Sequence, residues 1–308
     1  MTKNINELFD LPSPFTEYNW PSAVKEDFES RKLKLFIKRD DLIDSEVSGN
    51  KLRKLKYNVL QAQSDGKSGL LTFGGAYSNH LLATASLCHK LGLKSLGIVR
   101  GEELNENSND NLKSCTELGM TFRFISREEY RLKEDWEYLM ELKSEFSEYK
   151  IVAEGGKNFF GIIGCQEITK EIKLDFDDIW VSQGTCTTSV GILSGLQLRQ
   201  KLNVVPALKG FDSKAEMKPL LMMVYGEEES TIDKLKQVDV YPDFHFGGYG
   251  KTTQELEEFI CLINKECGIP LDKVYTSKTF YALIETYKNN DQKNKNIVMV
   301  HTGGLLNG

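Results

Sequence analysis

Short apolar runs of strand length alternate with amphipathic stretches of helical period along most of this chain, and that alternation limits the folds open to it. The runs are Leu33–Ile37, Gly69–Phe73, Ser95–Val99, Thr121–Ile125, Ile151–Ala153, Asp178–Ser182 and Asn296–His301, with a helix expected over Lys51–Gln63. Strands separated by helices pair in parallel and are covered by those helices, so the expected class is α/β. Polar stretches at Asn105–Asn111 and Lys288–Lys295 read as surface loops, and no repeat or linker marks a domain cut.

Composition narrows the partners. Against 39 basic residues stand 45 acidic ones, a formal charge of −6, so nothing global attracts nucleic acid or an anionic membrane surface. A small-molecule partner is expected instead. No apolar run reaches membrane-spanning length, and Met1–Ser22 lacks an apolar core flanked by basic residues, which argues against a signal peptide. The six cysteines, Cys88, Cys115, Cys165, Cys186, Cys261 and Cys267, form no CxxC pair, so free thiols in a reducing cytoplasm are expected. No paired-histidine or zinc-ligand spacing occurs, and no metal is expected. No GxGxxG follows a strand, and Gly66-Lys67-Ser68 lacks the upstream glycine of a phosphate loop.

Two local features point to a ligand. Gly74-Gly75, Gly155-Gly156, Gly247-Gly248 and Gly303-Gly304 each follow a strand-like run, where composition predicts roughly two such pairs. Ligands of open α/β sheets sit beyond the carboxyl ends of strands, and bare backbone there permits close approach; four ordinary turns are the alternative. The segment Gly49 to Leu55 places Lys51, Arg53, Lys54 and Lys56 in the first turns of a helix, the end that favours anions. Either an anionic ligand binds there or the residues form a solvated basic face. A lysine so placed and partly desolvated has its neutral amine available to attack an aldehyde, and Lys51 suits that best.

Lys38-Arg39-Asp40-Asp41-Leu42, Gly49-Asn50-Lys51-Leu52-Arg53-Lys54-Leu55 and Gly74-Gly75-Ala76-Tyr77-Ser78-Asn79-His80 follow one another in order. They are joined by Gly155-Gly156-Lys157-Asn158, the loop Gly184–Gly191, Val274-Tyr275-Thr276-Ser277-Lys278 and His301-Thr302-Gly303-Gly304. In these motifs the chain resembles the D-cysteine desulfhydrase and 1-aminocyclopropane-1-carboxylate deaminase family over nearly its whole length. The resemblance implies a pyridoxal 5'-phosphate (PLP) enzyme of the tryptophan synthase β-like fold (fold type II), with two α/β domains, each a mostly parallel sheet flanked by helices. Residues 1–50 together with 161–308 would form the larger cofactor domain and 51–160 the smaller mobile one, in a homodimer.

The resemblance assigns roles as well. Lys51 matches the Schiff-base lysine, which also removes the substrate's α-proton. Asn79 matches the residue that hydrogen-bonds the cofactor's phenolic oxygen, while Ser78 and His80, beside Tyr77, would receive the substrate carboxylate. Without the family, Ser78-Asn79 is a good helix N-cap. Gly184, Thr185, Cys186, Thr187 and Thr188 lie between an apolar strand and a helix expected near Ser189, an arrangement suited to a phosphate or to a plain turn. Relatives carry a glycine pair where this chain has Cys186-Thr187. Thr302 corresponds to the residue facing the pyridine nitrogen, and Tyr275 and Tyr249 match active-site tyrosines.

Ring-opening deaminases resembling this chain place Glu after the motif tyrosine, Leu before the final glycine pair and Gln after Ser-Asn. Here stand Thr276, Thr302 and His80. These differences imply α,β-elimination on a small amino acid, D-cysteine giving pyruvate, ammonia and sulfide, with Tyr275 or Tyr249 assisting the leaving group. Tyr77 replaces a usual Gln and Leu82 a frequent Arg, and the chain stops at Leu305-Leu306-Asn307-Gly308, soon after the glycine pair. The alternatives are ring opening of 1-aminocyclopropane-1-carboxylate, or a PLP-binding amino-acid sensor without turnover.

Overall fold

A computed structural model describes Phe9 and residues 12–47 and 49–304. Ser48, the C-terminal run Leu305–Gly308 and most of the N-terminal stretch lie outside the described residues. The strands in chain order are β1 (Phe15–Tyr18), β2 (Leu33–Arg39), β3 (Gly69–Gly75), β4 (Lys94–Arg100), β5 (Met120–Ile125), β6 (Tyr149–Val152), β7 (Asp178–Gln183), β8 (Lys201–Pro206), β9 (Val238–Val240) and β10 (Lys295–His301). The described chain falls into two compact units, one over Asp44–Gly164 and the other over Pro12–Ile43 with 165–304.

In the unit over 44–164, four parallel strands lie in the order β5-β4-β3-β6. The run Leu70 to Gly74 in β3 is buried throughout, as expected of a strand covered on both faces. Residues of β4 alternate between two cores. Leu96 and Ile98 join Leu71, Phe73, Tyr130 and Leu142 on one side, while Val99 joins Leu81, Leu112 and Met120 on the other.

In the other unit six strands lie in the order β1-β2-β10-β7-β8-β9, parallel except for β1 against β2. Its core packs Trp20, Phe28, Leu35, Ile37, Trp180, Phe280, Tyr287 and Met299. Full burial of each large apolar side chain contributes about 1.5–3 kcal/mol. Asp178 at the start of β7 gathers two donors: the Tyr287 hydroxyl and the Lys295 ammonium both donate to its Oδ2, at 2.7 and 2.6 Å.

All seven expected strands are present, with ends shifted by no more than two residues, and the expected helix runs Asn50–Ser64. Three strands are additional. β1 is a half-buried edge, β8 carries the buried Asn203 and ends in Pro206, and β9 is short, so none presents a clean apolar run. One expectation fails in its context: Gly247-Gly248 follows a 3-10 turn, Pro242–His245, rather than a strand. The six cysteines form no disulfide, and Cys88, Cys115, Cys165 and Cys186 are buried. Among the described residues no helix is long and apolar enough to cross a membrane, and no group of three or more His, Cys, Asp or Glu side chains is placed to hold a metal.

Candidate active site

Lys51 stands in the first turn of the helix Asn50–Ser64, which starts after Gly49 at φ 58°, ψ −145°, a conformation open only to glycine. That turn contains no acidic residue. Lys51 is half-buried, and Arg53 and Lys54 are 2% and 6% exposed. The reading of these residues as a solvated basic face is thereby excluded for Arg53 and Lys54. Close packing fixes the helix in place. A Cβ on Gly164 would lie 1.9 Å from the Arg53 carbonyl oxygen, and one on Gly156 2.9 Å from Lys54 Cβ. Asn58 donates to the Lys54 carbonyl at 2.7 Å and exchanges amide hydrogen bonds with Asn158.

Beyond the end of β3, Ser78 caps the helix Asn79–Leu91, its Oγ accepting from the N–H groups of His80 and Leu81. Gly74 leaves room for this cap, since a Cβ there would meet Ser78 Oγ at 2.8 Å. Asn111, which sequence reasoning missed, donates to the carbonyls of Ala76 and Ser78 and holds the turn. Tyr77 projects outward, 76% exposed.

The His80 ring reaches back to β3. Its Nε2 lies 3.0 Å from Thr72 Oγ1, and that hydroxyl donates to the Val152 carbonyl at 2.8 Å. Having given its one proton away, Thr72 accepts from His80, which fixes the Nε2–H tautomer through the hydrogen-bond network. Nδ1 is then a buried acceptor, without a partner among the described residues. Burial, with the nearby charges of Lys54 and Lys51, pushes the imidazole pKa down to about 3. In this tautomer the one ring N–H is directed at Thr72.

The lowered value makes a stability prediction. Between about pH 3 and 6.5 the unfolded chain binds a proton at His80 that the folded chain refuses, so stability is greatest above pH 6.5 and falls on acidification. From pH 7 to pH 5 the loss from this one group is about 2 kcal/mol. His80→Gln removes it, and urea unfolding at the two pH values will show a correspondingly smaller drop in the variant. Equal drops would refute the assignment.

In the other unit, β7 ends at Gln183 and the helix Thr187–Gly195 begins two residues earlier than expected. Cys186 is its N-cap residue, in the left-handed region at φ 61° and without a side-chain cap, the conformation that glycine adopts most easily. Ser189 braces the loop, donating to the Cys186 carbonyl at 2.8 Å and accepting from Gln183 at 2.9 Å. Thr185 and Thr187 bring their hydroxyls within 3.3 Å of each other.

Tyr275 lies against this loop: a Cβ on Gly184 would stand 3.4 Å from its ring. The Tyr249 ring meets it edge-on at 6.0 Å. Two residues missed by sequence reasoning hold the tyrosines. Buried Asp272 accepts from the N–H groups of Val274, Tyr275 and Thr276 and from the Thr276 hydroxyl. Lys278, fully buried, donates to the carbonyls of His245 and Gly248 at 2.9 Å and ties down the segment bearing Tyr249. Thr302 follows β10, its Oγ1 3.2 Å from Ser182 Oγ at the end of β7, and both are buried. His301 is pinned by the Pro270 carbonyl at 2.6 Å and Asp41 at 3.3 Å.

A family model described as pyridoxal-phosphate dependent enzyme matches residues 16–303. The chain belongs to that family. A putative 1-aminocyclopropane-1-carboxylate deaminase of Pyrococcus horikoshii is 31% identical over 278 residues, covering 88% of this chain and 84% of the relative. The bifunctional D-cysteine desulfhydrase/1-aminocyclopropane-1-carboxylate deaminase of Arabidopsis thaliana, a mitochondrial protein, is 29% identical over 97% of this chain and 78% of its own. D-cysteine desulfhydrase of Klebsiella pneumoniae is 28% identical over 88% and 86%. The crystal structure of a deaminase homologue superposes with a TM-score of 0.76 at 26% identity, covering 99% of this chain and 96% of that one. This PLP-dependent enzyme thus has a fold type II architecture, two parallel-rich sheets flanked by helices.

The residues present fit PLP. An aldehyde needs a primary amine, and Lys51 stands half-buried on a helix whose seat is fixed by packing. A phosphate needs N–H donors and hydroxyls, which the uncapped first turn of Thr187–Gly195 and the threonines of the loop provide. A ring needs flat neighbours, and Tyr275 lies beside Gly184.

Proposed function

We propose that this enzyme catalyses α,β-elimination on D-cysteine, converting it with water into pyruvate, ammonia and hydrogen sulfide. The observation that carries the reading is the buried Ser182–Thr302 hydroxyl pair, because Thr302 matches the residue opposite the pyridine nitrogen of PLP. When bound, PLP supplies a ring that accepts electron density from the substrate's α-carbon. Thr302, a neutral hydroxyl rather than an aspartate, would leave that acceptance weaker and so favour departure of a β-substituent over amino-group exchange.

Lys51 would hold the cofactor, and its Nζ would take the substrate's α-proton. Ser78 Oγ and the Asn79 amide receive the substrate carboxylate, with Asn79 also serving the cofactor's phenolic oxygen and exposed Tyr77 bordering the turn. Gly184, Thr185, Cys186, Thr187 and Thr188 would hold the phosphate. Tyr275, or Tyr249 beside it, gives a proton to the departing sulfide. His80 acts through Thr72 by fixing the turn. The relatives named for D-cysteine desulfhydration support this reading. Residues 51–160 serve as the mobile domain of a cytoplasmic homodimer.

Pyruvate formation from D-cysteine, β-chloro-D-alanine, D-serine and 1-aminocyclopropane-1-carboxylate, measured in parallel, tests the proposal. D-Cysteine is expected to exceed the cyclopropane substrate in kcat/KM by at least about tenfold, a difference of about 1.4 kcal/mol in transition-state stabilisation. Preference for the cyclopropane substrate would make it a deaminase. No pyruvate from any of the four, with PLP bound, would make it a sensor.

A further inference from the structure

The unit over 44–164 carries an open cavity of about 590 Å³ whose lining shares only Tyr77 with the residues assigned to the elimination, and Lys51 is not in that lining. Four cations and two carboxylates line it, leaving a net positive charge. Two of the cations are accounted for: Arg127 pairs with Glu103 at 3.5 Å and Lys133 with Glu154 at 3.6 Å. The other two, Arg100 and Arg131, have no carboxylate partner among the described residues.

Arg100 ends β4 beside Gly75 of β3, where a Cβ, had the residue one, would stand 3.6 Å from its guanidinium. The guanidinium also rests near the Tyr130 ring, 5.7 Å from its centroid. Tyr130 is buried, and its hydroxyl donates to Glu154 at 2.9 Å, so this platform is held in place. Aromatic support restricts a guanidinium without using its N–H donors. The remaining wall is carbon: Leu104, Ala76 and the exposed ring of Tyr77.

We propose that this cavity is an accessory binding site for a small organic carboxylate of the 2-oxo-acid or amino-acid kind. The planar forks of Arg100 and Arg131 match a carboxylate's two oxygens, and the Leu104–Tyr77 wall takes the short carbon chain. The carboxylates of Glu103 and Glu154 in the same lining disfavour a multiply charged phosphate. A ligand there touches Ala76 and Tyr77, the two residues that lead into the Ser78 cap, so its occupancy bears on the turn that takes the substrate carboxylate in the proposed function.

Holoenzyme reduced with borohydride, which fixes PLP on its lysine and ends its exchange with amines, is titrated calorimetrically with sodium pyruvate and, separately, with inorganic phosphate. Saturable pyruvate binding is expected, weakened about tenfold or more by Arg100→Ala/Arg131→Ala and by Arg131→Glu alone. Lys113→Ala, outside the cavity, leaves it unchanged. The arginines are surface residues, and an unchanged circular dichroism spectrum confirms that each variant folds. Absence of pyruvate binding, or binding indifferent to the arginine variants, overturns the proposal. Phosphate binding as tight as pyruvate overturns the carboxylate assignment. If borohydride attaches nothing to Lys51, the reading of Lys51 fails instead, and titration of the untreated protein still decides the cavity.

Discussion

Lys51→Ala is expected to lower pyruvate formation from D-cysteine by at least about 10³-fold, the loss that follows when a positioned proton-transfer group is removed. The reason is double duty. The amine that anchors PLP is, in the proposed reaction, also the base that receives the α-proton, so no other group on the helix Asn50–Ser64 substitutes for it. Arg53 offers only guanidinium N–H donors and no acceptor. Lys54 is buried, with its side chain packed against Gly156. Borohydride reduction followed by peptide mapping gives a readout independent of activity: PLP is recovered on the peptide holding Lys51 in wild type and on none in the variant. Recovery on Lys54 would move the anchor and remove the basis for the mechanism. Because the side chain is half-buried and its helix is held by Gly164 and by the Asn58–Asn158 pair, the substitution should leave the fold intact.

Most strands were legible in the sequence for a physical reason. β3 and β7 are buried along nearly their whole length, and Leu70, Leu71 and Phe73 in the one and Ile179 to Val181 in the other stand out against their surroundings. The strands that escaped notice have other duties. Asn203 interrupts β8 because its side chain accepts from the Tyr241 hydroxyl at 3.1 Å, and β1 is an edge that needs only one buried side.

The candidate site divides in the same way. Lys51, Asn79, Tyr275 and Thr302 belong to ordered local motifs and can be read off the chain. Their supports cannot, because Thr72, Asn111 and Ser182 act through contacts between segments distant in sequence. Asp272 was within reach, as an acidic residue just before the helix Thr276–Lys288 is an N-terminal signal. Thr276, read as a marker of reaction type, is fully buried with its hydroxyl on Asp272, so its first role is to complete that support. His80 shows the remaining limit: residue type suggests a donor, and only the fate of the Thr72 proton shows where its N–H is directed.

Gly164→Ala is expected to cost about 3 kcal/mol of stability and to reduce turnover about 100-fold, although the residue carries no functional group. Its added methyl would stand 1.9 Å from the Arg53 carbonyl oxygen, where ordinary contact begins near 3.4 Å. The obstacle is backbone, so no side chain can rotate away, and the helix bearing Lys51 must shift by more than an ångström. Gly66→Ala is the control. It sits in the same unit at φ 65° with nothing within 4 Å of the new methyl, so it bears only the conformational penalty of about 1 kcal/mol and leaves turnover alone. Urea unfolding and kcat/KM for D-cysteine separate the two. If Gly164→Ala matched Gly66→Ala in both, the seating of the Lys51 helix against Gly164 would not be what holds the lysine in place. If stability fell and turnover did not, the packing would be structural, and alignment of Lys51 would rest on the Gly49 turn alone.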